Sequence, residues 1–80
     1  MTKITPAAKN ALRAIYQAGS GVLQRQRVLA AGDWLPFSGS TFLQLVGAGM
    51  LKMEGNRLSC TEAGTAMAEK LKPFVLEDYP

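Results

Sequence analysis

The first segment of the chain has apolar residues at helical spacing. They recur three or four positions apart, at Ala8, Ala11, Leu12, Ile15 and Tyr16. Thr5 followed by Pro6 is typical of a helix start, because a threonine hydroxyl can accept from free backbone N–H groups and proline fits the first helical position. The pattern therefore predicts a helix that runs to about Ala18 with one face in the core, and Gly19 is its expected stop.

The next segment is less regular and is also predicted to be helical. Val22 and Leu23 are too few for more than one or two rungs of an edge strand or the lead-in to a helix. A helix over residues 24–31 would place Val28 and Leu29 inward and end at Gly32. This second helix is expected to lie beside the third.

The connection over residues 33–37 carries three large apolar side chains around a proline. Pro36 forbids a continuous helix through this stretch. We expect Trp34 and Phe37 to fill the space between the second and third helices, in preference to forming a platform for a ligand.

A third helix is predicted to begin at Ser38 or Ser40 and to stop near Gly49. Its inner side would carry Phe42, Leu45 and Val46. The remaining positions of the helix are left to face outward.

Two short runs, residues 50–53 and 57–60, flank Glu54, Gly55 and Asn56. Glycine followed by asparagine suits the positive-φ turn that joins antiparallel strands, so the pattern predicts a β-hairpin. Strand alternation places four residues on its inner face: Leu51, Met53, Leu58 and Cys60.

Thr61 is the expected cap of a last helix that carries Glu62 in its first turn and Lys70 in its last, both favourable to the helix dipole. Its inner stripe would be Ala63, Met67, Ala68 and Leu71. Pro73 ends this helix, so the domain is expected to cover residues 1–72 and to be followed by a tail, apolar and then acidic, over residues 73–80.

Composition limits the kinds of chemistry that the chain can carry out. The 80 residues are enough for one domain, and 48% of them are apolar. Histidine is absent and Cys60 is the only cysteine, so the sequence favours neither an enzyme nor a metal or cofactor site. The residues around Lys3 do not form the apolar core of a signal peptide, which predicts a cytoplasmic protein without a membrane partner.

Charge is distributed unevenly along the sequence. Residues 1–57 hold seven basic and two acidic side chains, a net of +5, whereas residues 58–80 hold two basic and four acidic ones, a net of −2. A basic body with an acidic end is compatible with a polyanionic partner.

The order of predicted elements resembles that of the winged helix-turn-helix superfamily. The resemblance is carried by Leu-Val-Gly-Ala-Gly-Met-Leu at 45–51, followed by Arg-Leu-Ser-Cys-Thr-Glu-Ala-Gly at 57–64. In that pattern a recognition helix ends in glycine, an apolar pair opens the first wing strand, and the second strand leads into a helix. The resemblance implies an α+β, mainly α fold: a three-helix core, a two- or three-stranded wing hairpin and a C-terminal helix.

The same resemblance implies a small DNA-binding protein that regulates transcription, with the third helix in the major groove of double-stranded DNA and the wing on its backbone. The residues facing the bases would be Ser40, Thr41, Leu43, Gln44 and Gly47. The residues on the phosphates would be Arg25, Arg27, Lys52 and Arg57, which otherwise read as solvated surface charges.

A second hypothesis is a protein-binding winged helix without a DNA function, such as a subunit of a complex or a phage-type inhibitor of a host protein machine. Its basis is the outer face of the third helix, which has neither lysine nor arginine. The apolar patch in the tail either folds back over the core or contacts a protein partner or a second copy. That patch consists of Phe74, Val75 and Leu76.

Overall fold

The computed structural model describes residues 5–75, in which three helices pack on one face of a five-stranded antiparallel sheet. The elements are α1 (Pro6–Ala18), β1 (Gly21–Gln24), β2 (Arg27–Ala30), β3 (Asp33–Trp34), α2 (Gly39–Gly47), β4 (Leu51–Glu54), β5 (Arg57–Cys60) and α3 (Glu62–Ala68). The strand order across the sheet is β3-β2-β1-β5-β4.

The first helix forms as its sequence predicts. The Thr5 hydroxyl accepts from the backbone N–H of Ala8 at 3.1 Å. Gly19, with a φ of +88°, ends the helix by donating its N–H to the carbonyl of Ile15 at 2.9 Å. Leu12 and Ile15 are fully buried, so α1 supplies the centre of the core.

The predicted helix over residues 24–31 is wrong, and so is the mainly α fold class. These residues form the end of β1, a two-residue turn and strand β2 instead, and the described chain is 41% helix and 25% strand. Val28 and Ala30 are buried while Arg27 is exposed, which is the alternation of a strand with one face on the core. Four residues give too short a pattern to separate this alternation from a helical face, and the sheet is larger than any wing hairpin.

Strand β1 lies in the middle of the sheet rather than at its edge. It pairs with β2 on one side and with β5 on the other, where Gly21 is opposite Leu58. A Cβ at Gly21 would lie 2.6 Å from Ile15 Cδ1 and 2.9 Å from Val28 Cγ1. Glycine at this position therefore lets α1 pack directly on the central strand.

The third predicted helix and the following hairpin are confirmed as α2 and β4–β5. Phe42 and Leu45 are fully buried on the inner side of α2. In the hairpin, Leu51 is opposite Cys60 and Met53 is opposite Leu58, as the alternation predicts. The tight turn begins at Gly55, which has a φ of +64°.

A structural repeat relates the two halves of the chain. The strands of the β1–β2 hairpin cover 21–24 and 27–30, and those of the β4–β5 hairpin cover 51–54 and 57–60, an offset of 30 residues. Gly19 and Gly49 follow the preceding helices with φ values of +88° and +81°. Val28 and Leu58 occupy equivalent, fully buried positions. The repeat is not apparent from the sequence, because the pattern over residues 24–31 predicts a helix where the first hairpin lies.

The start of α3 is fixed by Thr61, as predicted. Its hydroxyl accepts from the N–H of Gly64 at 3.1 Å and donates to the carbonyl of Gly49. The N–H of Thr61 donates to the carbonyl of Met50 at 3.1 Å. These bonds dock α3 on the corner between α2 and β4.

The segment after α3 turns back over the core as far as it is described. The Gln17 side chain accepts from the N–H of Phe74 and donates to its carbonyl oxygen at 2.9 Å. The ring of Phe74 lies 5.6 Å from that of Phe37, between centroids. Val75 is exposed, and Leu76 lies outside the described residues. The prediction that this patch contacts a partner stays a prediction.

Replacing Gly64 with alanine should destabilise the domain by about 3 kcal/mol, because there is no space for the added methyl group and overpacking is unfavourable. The new Cβ would lie 1.8 Å from the carbonyl oxygen of Met50, and that carbonyl is held by backbone structure. Urea unfolding followed by circular dichroism measures the loss.

The matched control is Gly47→Ala in α2, where nothing lies within 4 Å of the new Cβ. It should leave the stability unchanged or raise it by up to about 1 kcal/mol, because alanine is the better helix former. Equal stability of the two variants would show that α3 does not sit against Met50.

Candidate nucleic-acid interface

The residues predicted to face DNA bases lie on the outward side of α2. Ser40, Leu43, Gln44 and Gly47 are exposed, and Thr41 is half-buried. Leu43 is 50% exposed. We call these five residues the α2 face. Because α2 itself contains no charged residue, this face offers hydrogen bonds and apolar contact but no cation.

Three hydroxyl groups gather at the N-terminus of α2. The Ser38 oxygen lies 2.9 Å from that of Ser40 and 3.2 Å from that of Thr41. The Ser38 side chain makes no capping bond to the helix backbone. The entrance of α2 therefore presents a polar, uncharged cluster that can donate to an anion.

Arg25 lies in the turn between β1 and β2, and Arg27 is the first residue of β2, so neither lies on a helix. This turn meets the N-terminus of α2, where the N–H of Gly39 donates to the carbonyl of Gln26 at 2.7 Å. A Cβ at Gly39 would lie only 3.0 Å from the Gln26 Cα, so glycine permits the close approach. We call residues 25–27 the basic turn.

The basic turn and the entrance of α2 form a common cleft. Its walls are Arg25, Gln26, Arg27, Pro36, Phe37 and Ser38. None of these residues is acidic. The fold thus brings the two arginines to the start of the α2 face, even though the sequence analysis placed them on the wrong kind of element.

The turn itself holds an unusual backbone. Arg25 and Gln26 have φ values of +47° and +66°, in the left-handed region where asparagine and glycine are favoured. The left-handed conformation costs other residues roughly 1–2 kcal/mol each. A two-residue turn between antiparallel strands requires this conformation of both central residues, and Ala31 also has a positive φ, of +53°.

Lys52 and Arg57 belong to the second hairpin, and their charges are less available to a phosphate than those of the basic turn. The Lys52 ammonium lies 3.4 Å from a Glu54 carboxylate oxygen, and Glu54 is also the cross-strand neighbour of Arg57. That ion pair is exposed and contributes little to stability. It nevertheless places an anion between the two cations, which weakens both as phosphate ligands.

Arg25 and Arg27 have no such neighbour. Within residues 5–75, Lys52 and Glu54 form the only ion pair. The two guanidinium groups of the basic turn are therefore without a carboxylate partner in the described part of the chain. This makes the basic turn the strongest anion-attracting point near α2.

Cys60 lies on the inner face of β5 and is half-buried. Burial raises the pKa of its thiol, because the thiolate is less well solvated there. The thiol is therefore protonated at neutral pH and is a poor nucleophile. No group of three or more histidine, cysteine or carboxylate residues in the described chain is placed to hold a metal ion.

Sequence reasoning missed one exposed aromatic residue. Trp34 was expected in the core beside Phe37, but it is 48% exposed, whereas Phe37 is 6% exposed. Trp34 is opposite Leu29, and the outward position of Leu29 follows from the strand alternation of β2. Only recognition of β2 as a strand could have revealed this.

Comparison with protein-family models, with curated proteins and with solved structures gives no match for this chain. Within the described residues, no helix combines the length and the apolar character that crossing a membrane requires.

Replacing Arg25 with asparagine and Gln26 with glycine should stabilise the domain by about 1 kcal/mol. Both new residues adopt a positive φ more readily, although glycine loses part of the gain by making the unfolded chain more flexible. A thermal melt measures the effect, which should be several degrees for a domain of this size.

The control is Arg27→Asn, which removes the same side chain from a residue without a positive φ. It should give no increase in stability. A loss of stability in the double variant would mean that the Arg25 and Gln26 side chains hold the hairpin in place.

Proposed function

We propose that this domain binds double-stranded DNA through the basic turn and the α2 face. The observation that carries the proposal is the position of Arg25 and Arg27, which lie without a carboxylate partner beside the entrance of α2. Phosphate contacts dominate the affinity of proteins for DNA, and these two cations are the most available ones near an exposed helix.

The basic turn and the α2 face contact different parts of the DNA. Arg25 and Arg27 hold backbone phosphates, with the Ser38 and Ser40 hydroxyls donating further hydrogen bonds, and so fix the position of the protein. Gln44 is exposed on α2 and can bond the N6 and N7 atoms of adenine through its carboxamide. Leu43 offers apolar contact for a thymine methyl group.

The affinity of one copy is expected to be modest. Each phosphate contact contributes about 0.9 to the slope of log affinity against log salt concentration. Two contacts from the basic turn, and up to four with Lys52 and Arg57, give a slope of about −2 to −4. Binding should therefore be measured at low salt.

A protein partner is the second candidate, and the exposure of Leu43 is the observation that favours it. Leu43 lines a groove of about 300 Å³ with Leu23, Gln26, Ser38, Gly39 and Ser40. An exposed leucine in such a groove suits an apolar side chain of a partner. Neither Arg25 nor Arg27 lines this groove, so the two cations would have no role in this alternative.

Replacing Arg25 and Arg27 with alanine should weaken duplex binding and flatten its salt dependence by about 2 in slope. The matched control is Lys70→Ala combined with Lys72→Ala, which also removes two positive charges, but from the segment after α3. Fluorescence anisotropy with a labelled random duplex, titrated at several salt concentrations, measures both.

Equal affinity and equal slope for the two double variants would show that the basic turn does not hold phosphates. If no duplex binds at low salt, DNA binding is rejected, and the groove at Leu43 is left as a protein-binding site. The variant with asparagine at 25 and glycine at 26 excludes misfolding as an explanation, since it should gain stability while losing affinity.

Replacing Gln44 with alanine should alter sequence preference and leave the salt slope unchanged, because the side chain bonds a base and not a phosphate. The loss at an adenine position should be about ten-fold or more. Selection from a randomised duplex library, compared between the native protein and this variant, measures it. An unchanged selected sequence would remove Gln44 from the interface.

A further inference from the structure

The open face of the sheet carries the exposed Trp34. This residue is opposite Leu29 in the β2–β3 pair, and Leu29 shares a face of β2 with Arg27. Val28 and Ala30, on the other face of β2, are buried against the helices. The indole and the Arg27 guanidinium therefore both lie on the outer side of the sheet.

A cleft of about 400 Å³ brings this indole together with polar side chains. Its walls are Gln24, Arg25, Arg27 and Trp34. Gln24 is the cross-strand neighbour of Arg27, so it lies on the same outer face. One planar ring, one carboxamide and two cations thus surround a single cleft.

The nearest acidic residue in sequence is directed away from this cleft. Asp33 is opposite Ala30, which is buried on the helix side of the sheet. Asp33 lines a different cavity, together with Gln17 and Phe74. The charge of the Trp34 cleft is therefore purely positive among the residues that form it.

The indole ring is free to take a partner. Among the described residues, the only cation that lies over an aromatic ring is Arg13, at 5.1 Å from the Tyr16 centroid. The ring–ring contacts in the same part of the chain join Phe37 to Phe42 and to Phe74. Neither kind of contact covers Trp34.

We infer that this cleft binds an unpaired nucleotide of a single-stranded nucleic acid. The base stacks on the Trp34 indole, the Gln24 carboxamide bonds an edge of the base, and Arg25 and Arg27 hold the adjoining phosphate. Aromatic stacking beside basic side chains is the usual means by which proteins hold single strands. The inference extends the proposed function from duplex DNA to a second, unpaired strand.

The chemistry of the cleft favours a nucleotide over a protein side chain. An apolar side chain placed on Trp34 would remove water from two arginines and give them no counter-charge, which is unfavourable. A nucleotide supplies both a ring for the indole and an anion for the guanidinium groups.

The two proposed sites meet at the basic turn. Arg25 and Arg27 line both the Trp34 cleft and the cleft at the entrance of α2. A duplex that ends in a single-stranded overhang could occupy both at once, with its phosphates near the shared arginines. The two sites differ, however, in the residues that would contact bases.

Intrinsic fluorescence tests the inference directly, because Trp34 is the only tryptophan of the chain. A twelve-residue oligothymidylate should quench this fluorescence at low salt. An abasic oligomer of about the same length and charge should not, because it has sugars and phosphates but no aromatic bases. Quenching of equal size by both oligomers would overturn the stacking.

Trp34→Ala should weaken binding of the labelled oligothymidylate about ten-fold or more, by anisotropy, since each stacked base makes a large contribution to affinity. Trp34→Phe keeps an aromatic ring and should retain most of the affinity. Both variants should show the native circular dichroism spectrum, because the side chain is exposed. Equal affinity of the native and Trp34→Ala proteins would overturn the inference.

The same measurements separate this inference from the proposed duplex function. If Trp34→Ala loses the single strand and keeps the duplex, both proposals stand. If the native protein binds the single strand and no duplex, the duplex function fails and the Trp34 site stands. Absence of any quenching by the oligothymidylate rejects the Trp34 site, whatever the duplex does.

Discussion

The burial of α1 in the centre of the core, against α2, α3 and strand β5 and over Gly21 of β1, is the constraint on which the other elements depend. Ile15 of α1 and Val28 of β2 both reach the space that Gly21 leaves by having no side chain. Apolar burial of this kind is the main favourable term in folding. Because β1 lies at the centre of the sheet, both hairpins are attached to the strand that α1 holds.

That arrangement determines where the charged groups lie. With β1 fixed, its hairpin with β2 extends to the N-terminus of α2, and the Gly39 to Gln26 hydrogen bond secures the meeting point. The backbone of the basic turn is thereby held by the β1–β2 pairing on one side and by the start of α2 on the other. A surface position that is fixed in this way can bind an anion without first being ordered, which reduces the entropic cost of binding.

Several elements could be predicted because their signals are local. The caps at Thr5 and Thr61 and the turn at Gly55 each depend on the chemistry of a few adjacent residues, and all three were predicted correctly. The hairpin at Arg25 and Gln26 lacked such a signal, since neither residue favours a positive φ. Its first strand is stabilised by pairing with β5, which is distant in sequence and so gives no local signal.

In the candidate site too, the features set by local sequence could be predicted and those set by the sheet could not. The exposed side of α2 follows from its helical periodicity alone, so four residues were correctly predicted to face outward, Ser40, Leu43, Gln44 and Gly47, whereas Thr41 is half-buried. The arginines were identified by charge, but their position beside α2 depends on the sheet. Trp34 was assigned to the core because large apolar residues are usually buried, and the short strand that exposes it is defined only by its partner β2.

The 30-residue repeat has a consequence for how the domain folds. The two strands of each hairpin are close in the chain, and such contacts form quickly. The pairing of Gly21 and Val22 with Leu58 and Arg57 instead joins residues more than thirty positions apart. We therefore expect the slow step of folding to be the joining of the two hairpins along the β1–β5 seam, and amide hydrogens along that seam to exchange mainly through global unfolding.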